Sequence, residues 1–119
     1  MFKEVLQGIV DNTEGGVAGL IMDYDGITLD KYIREGETLD VETVGMEYSV
    51  ILKDVRRASE MLEAGSMQEI AIKAEKMTTV IRYIDETYFV AVALRPDGNF
   101  GKARFRLRTA AGVLQAELS

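Results

Sequence analysis

The sequence predicts an α+β domain in which one five-stranded antiparallel sheet carries helices on both faces. Apolar residues recur at helical spacing in three segments, one near each end and a long one in the middle. Between them lie short apolar or alternating runs bounded by turn residues. Two of these runs, Val17–Met22 and Tyr88–Leu94, are apolar throughout and need cover on both faces. The order is helix, strand, strand, helix, strand, strand, strand, helix. The 119 residues suit a single domain spanning 1–119.

In the first helix Phe2, Val5, Leu6, Ile9 and Val10 form the apolar face, and the helix stops near Asn12, ahead of Glu14-Gly15-Gly16. Val17–Met22 is the first strand. Asp25-Gly26 turns the chain back into Ile27–Ile33, where Ile27, Leu29 and Ile33 share one face and the other is solvated. After a polar loop, Asp40 caps a helix running from about Val41 to Ala64. Its apolar stripe is Val44, Tyr48, Ile51, Val55, Ala58 and Leu62, and Gly65 stops it. Residues 69–75 alternate as a half-exposed strand and 78–85 form the next. Asp85-Glu86-Thr87 then turns into Tyr88–Leu94. Pro96-Asp97-Gly98-Asn99 closes the sheet and caps a last helix that turns Ala103, Leu107, Ala110, Leu114 and Leu118 inward.

The half-exposed strands belong at the sheet edges and the fully apolar ones in the middle. Sequential hairpins pair the first strand with the second, the third with the fourth and the fourth with the fifth. Both conditions together select the order 2-1-5-4-3. The long middle helix then covers one face and the terminal helices cover the other.

Composition narrows the chemistry. The chain has no cysteine, which excludes disulfides, thiolate catalysis and cysteine-based zinc sites. It has no histidine, the commonest general base and transition-metal ligand. No metal, cofactor or catalytic residue is expected. A net charge of −6 argues against nucleic acid as a partner. The longest apolar runs are too short for membrane insertion, and Glu4 spoils the N-terminus as a signal peptide. A cytoplasmic location is the expectation. Lys102, Arg104, Arg106 and Arg108 make the last helix basic at its start, but a spacing of two scatters them around it. They read as a solvated counterweight to an acidic body, with an acidic partner or lipid headgroups as the alternative.

One stretch, LIMDYDGITLDKY, resembles the nucleophile motif of haloacid-dehalogenase-type phosphatases, with Asp23 and Asp25 as the paired carboxylates. That chemistry needs a parallel sheet in which the aspartate strand feeds a crossover helix. Here a second strand follows at once. Gly26 is also misplaced for a calcium loop, because Ile21 would occupy the first ligand position. Pro96 and Ala103 break the phosphate-loop spacing around Gly101-Lys102. The aspartates read as the ends of a hairpin.

The whole layout resembles the Roadblock, or dynein light chain Roadblock-type, family. The likeness rests on the element order and on three stretches: VAGLIMDYDGITLDKY, RRASEMLEAG and EIAIKAEKMTTVIRYIDETYFVAVAL. It implies a profilin- or longin-like fold and a homodimer in which the third strand pairs with its twin while the long helices lie side by side. On this chain, Gly45, Ser49, Leu52 and Ser59 would then border the partner helix, and Glu69, Ala71 and Lys73 the partner strand. Bacterial members act on Ras-like small GTPases, and eukaryotic members serve dynein and GTPase scaffolds. The resemblance therefore implies a non-enzymatic homodimeric regulator of such a GTPase, modulating its nucleotide cycle or localisation. The outward residues Met46, Lys53, Arg56, Arg57 and Glu60 are the expected contact surface. An arginine finger is not expected from Arg56 or Arg57, because such a residue usually reaches the phosphate from an extended loop. The alternative is a structural adaptor of the same fold without effect on nucleotide turnover, and a small magnesium-dependent phosphatase comes last.

Overall fold

The computed structural model describes residues 2–119. Eight elements follow in the predicted order: α1 (Phe2–Asp11), β1 (Gly16–Asp23), β2 (Thr28–Ile33), α2 (Val41–Met61), β3 (Glu69–Lys73), β4 (Thr78–Tyr83), β5 (Tyr88–Leu94) and α3 (Phe100–Leu118). The strands form one sheet of order β2-β1-β5-β4-β3, and every neighbouring pair is antiparallel. The predicted topology is thus the observed one.

Two cores sit on opposite faces. On one, Leu6, Ile9 and Val10 of α1 and Ala103, Leu107, Ala110 and Leu114 of α3 pack on Ile21, Val80, Val90 and Val92. On the other, Val41 and Leu52 of α2 pack on Leu20, Met22, Ile81, Phe89 and Ala91. Alternation along β1 and β5 sends successive side chains to opposite faces, which is why both strands are apolar without a break.

The long helix departs from expectation in two respects. It ends at Met61, because Glu63 enters the left-handed region at φ 55°. Its N–H donates to Glu60 O (3.0 Å), and the Ala64 N–H donates back to Ser59 O (2.9 Å). This is a Schellman closure with a glutamate in the position that favours glycine. Left-handed backbone costs an ordinary residue roughly 1–2 kcal/mol. Glu63→Gly is therefore expected to add ~1 kcal/mol to the unfolding free energy. Urea unfolding checks it, and an unchanged midpoint would count against the strain.

The second departure is rotational. The inward face is Val41, Gly45, Ser49 and Leu52, with Tyr48 and Val55 half-buried at its border. Ile51 and Leu62, expected inside, are 50% and 77% exposed. In β2 the expected inward face also fails in part. Ile27 is 66% exposed in the turn and Leu29 is exposed, so only Ile33 reaches the α2-side core. The β1–β2 register slips between Ile21 and Met22, which puts Thr28 opposite Met22 and leaves Ile27 outside the strand.

Candidate interaction surface

Helix α2 is seated by its small residues. A Cβ at Gly45 would stand 2.8 Å from Leu20 Cδ1 and 3.0 Å from the Met22 sulfur and methyl. The Ser49 hydroxyl is buried and donates to Met46 O at 2.7 Å, so it needs no partner from another element. Leu52 fills the core beside them. This corrects the expected dimer contacts: Gly45, Ser49 and Leu52 bring the helix close to its own sheet and are covered by it. Ser59 is half-buried on the same inward side.

Ion pairs orient the rest of the helix. Lys31 of β2 pairs with Glu42, and Lys53 reaches Asp25 of the β1–β2 turn at 2.7 Å. These tie one flank of α2 to the β1–β2 side. At about 100° per residue, Val44, Ile51 and Leu62 fall on the opposite flank. The helix itself lies over β1 and β2. Ile51, Met61 and Leu62 are exposed, while Ile70 and Ile72 of edge strand β3 are half-buried on the α2 side of the sheet. Glu69, Ala71 and Lys73, expected to border a partner strand, lie on the free edge of β3.

The expected partner residues divide. Met46, Lys53, Arg57 and Glu60 stand on the outer surface, with Lys53 held by Asp25. Arg56 is committed elsewhere. Its side chain is 21% exposed, its Nη2 lies 2.6 Å from Glu86 Oε2, and its guanidinium stacks 4.2 Å from the centre of the Tyr24 ring. The Tyr83 hydroxyl donates to Glu86 Oε1 at 3.0 Å. Burial, chiefly, pushes the Tyr24 hydroxyl above its ordinary pKa, with Arg56 opposing. Tyr83 is raised by burial and then by its bond to Glu86. Both tyrosines are neutral struts at physiological pH, and Arg56 ties α2 to the β4–β5 turn. Its partner Glu86 was missed from sequence, because nothing local links residues 30 apart.

Asp23 and Asp25 do turn work. Asp23 Oδ1 accepts from the N–H groups of Asp25 and Ile27, both at 2.9 Å, an Asx turn. The start of α2 is capped by Asp40, which accepts from the Thr43 N–H and hydroxyl at 3.2 and 2.8 Å. Those bonds, the hydroxyl foremost, hold Asp40 below its ordinary pKa, and Lys31 with Thr28 does the same for Glu42. The cations of α3 do not gather. Arg104 bonds Glu69 at 2.7 Å, Arg108 stacks near Phe105, and Arg106 is half-buried by the groove between α1 and α3. Among the described residues, no group of acids is gathered as a metal site, and no helix is long and apolar enough to cross a membrane.

A profilin-like sheet with an open edge strand and exposed apolar residues on α2 offers surface on which another protein can pack. Comparison with solved structures says which kind of protein this is. The chain is 38% identical to MglC from Myxococcus xanthus over 98% of both chains, with a TM-score of 0.71. It shares its fold with MglB in a tetrameric arrangement (18% identity, 95% of this chain and 84% of that one, TM-score 0.84). It shares it too with the Roadblock/LC7 domain from Streptomyces avermitilis (11% identity, 98% and 96% covered, TM-score 0.84). No family model and no curated protein matches the chain. The chain belongs to the Roadblock-type family, related to bacterial MglB and MglC.

Proposed function

We propose that this chain is a non-enzymatic homodimeric regulator of a Ras-like small GTPase, working in the cytoplasm. The observation that carries the reading is the free β3 edge of a sheet whose α2 helix also leaves Ile51, Met61 and Leu62 exposed. An unpaired edge invites strand pairing, and a two-fold axis closes it while covering the apolar row. The tetrameric arrangement of MglB supports self-association in the family. Paired α2 helices would then present Met46, Lys53, Arg57 and Glu60 from both copies as one broad surface. A GTPase bound there would be held in one switch conformation by differential affinity. Arg56 takes no part in phosphate chemistry, since Glu86 and Tyr24 hold it.

The test adds the chain to a Ras-like GTPase encoded in the same genome and follows GTP hydrolysis and nucleotide release. A change in one of these rates is expected, and Arg56→Ala should preserve it. If the GTPase binds but neither rate moves, the chain is an adaptor.

A further inference from the structure

Helices α1 and α3 cover the sheet face opposite α2 and leave a groove of about 290 Å³ between them. Val5, Ile9 and Ala110 line it with apolar surface, and Phe105, Arg106 and Thr109 form its α3 wall. The space over Gly8 is open, since a Cβ built there meets nothing within 4 Å. Steps of four residues set Phe105, Thr109 and Val113 in one row along α3. Phe105 and Val113 are 57% and 49% exposed.

Charge beside this surface is unbalanced. Lys102 and Arg106 also stand four residues apart, on the groove side of α3. Among the described residues neither forms an ion pair. Arg106 is half-buried, and its enclosed Nε donates to no acceptor. A cation withdrawn from water normally comes with a carboxylate. Acids outnumber bases in this chain, 20 to 14, yet none is supplied to Arg106. Asp11 of α1 turns to β2, where it accepts from the Tyr32 hydroxyl at 2.8 Å. Glu69 takes Arg104 instead. The matching acid is therefore external.

The form of the partner follows from the groove. It lies between two helices, away from the free edges of β2 and β3, so it offers side chains and no unpaired strand. A segment docking there must satisfy its own main chain, as a helix does. A flat anionic membrane fits less well, because Glu69 holds Arg104 and Arg108 stands on the other flank of Phe105.

We propose that the groove between α1 and α3 docks an acidic amphipathic helix of a partner protein, its apolar side chains over Gly8 and against Phe105 and its carboxylates on Lys102 and Arg106. The site needs neither the dimer nor the GTPase, whose surfaces are α2 and β3.

The test titrates the full chain into a fluorescein-labelled helical peptide of about 18 residues, built from leucine, alanine and glutamate with the leucines on one face. The same peptide with lysine for glutamate is the control, and vesicles of phosphatidylcholine and phosphatidylserine form the membrane arm. Fluorescence anisotropy should show binding of the acidic peptide that weakens with salt, and none of the lysine peptide. Arg106→Glu and Gly8→Leu should each weaken it tenfold or more. Gly8→Leu places its side chain in open space, so it keeps the test decisive if Arg106→Glu fails to fold. Amide shifts of the isotope-labelled chain should concentrate in α1 and α3. No binding of the acidic peptide below about 1 mM overturns the site. Equal binding of both peptides, or shifts confined to α2, overturns it as well. Vesicle binding that depends on Arg106, without peptide binding, overturns the protein partner in favour of a membrane.

Discussion

Gly45→Val is expected to destabilise the fold by ~2–3 kcal/mol, the cost of overpacking a filled core. The new Cβ would meet Leu20 Cδ1 at 2.8 Å and Met22 at 3.0 Å, and both side chains are fully buried. The extra methyls of valine have nowhere to go unless α2 lifts from β1. Gly45→Ala is the informative companion. Alanine gains up to ~1 kcal/mol of helix propensity over glycine, and only the flexible ends of Leu20 and Met22 must move to admit one Cβ. The alanine variant should therefore lie within ~1 kcal/mol of wild type. Urea unfolding of both variants checks the pair. A valine variant as stable as wild type would mean that α2 is not seated through Gly45.

Ile51→Glu is expected to act on assembly rather than on folding. Ile51 is 50% exposed in a single copy, so a glutamate there stays solvated and the monomer keeps its stability. In the proposed dimer the row Ile51, Met61 and Leu62 is covered, and symmetry places the substitution in both copies. Burying an unpaired carboxylate at two sites should weaken association by at least ~3 kcal/mol, about 100-fold. Light scattering should read a mass near 13.2 kDa for the variant and near twice that for the native chain. A variant that stays dimeric with an intact circular dichroism spectrum would move the interface away from this row.

The two predictions mark the place where the sequence misled. The sheet order was legible because full apolarity in β1 and β5, against alternation in β2 and β3, sorts middle strands from edges. Helix α3 was legible because Ala103, Leu107, Ala110, Leu114 and Leu118 recur at helical spacing, although Phe105 and Val113 stay exposed outside that stripe. Helix α2 carries two apolar surfaces, one toward its own sheet and one left exposed. Periodicity shows that Val44, Ile51 and Leu62 form a stripe, but not what covers it. The face that does reach the sheet holds Gly45 and Ser49, whose small side chains add little to an apolar pattern. A glycine in mid-helix was the available sign of a close approach, and it pointed to the sheet rather than to a second helix. Ile27 and Leu29 failed similarly, since alternation names a face and not its neighbour. The Arg56–Glu86–Tyr24 cluster depends on contacts between distant segments and left no local mark.

Binding of a Ras-like GTPase in defined nucleotide states tests the central claim most directly. Calorimetric titration of the chain with a cognate GTPase, loaded with GDP or with a non-hydrolysable GTP analogue, should show binding that favours one state by tenfold or more, a difference of about 1.4 kcal/mol. Arg57→Glu, on the exposed outer surface of α2, should weaken it, and Arg56→Ala should not. No binding in either state by any Ras-like GTPase of the same genome would contradict the account.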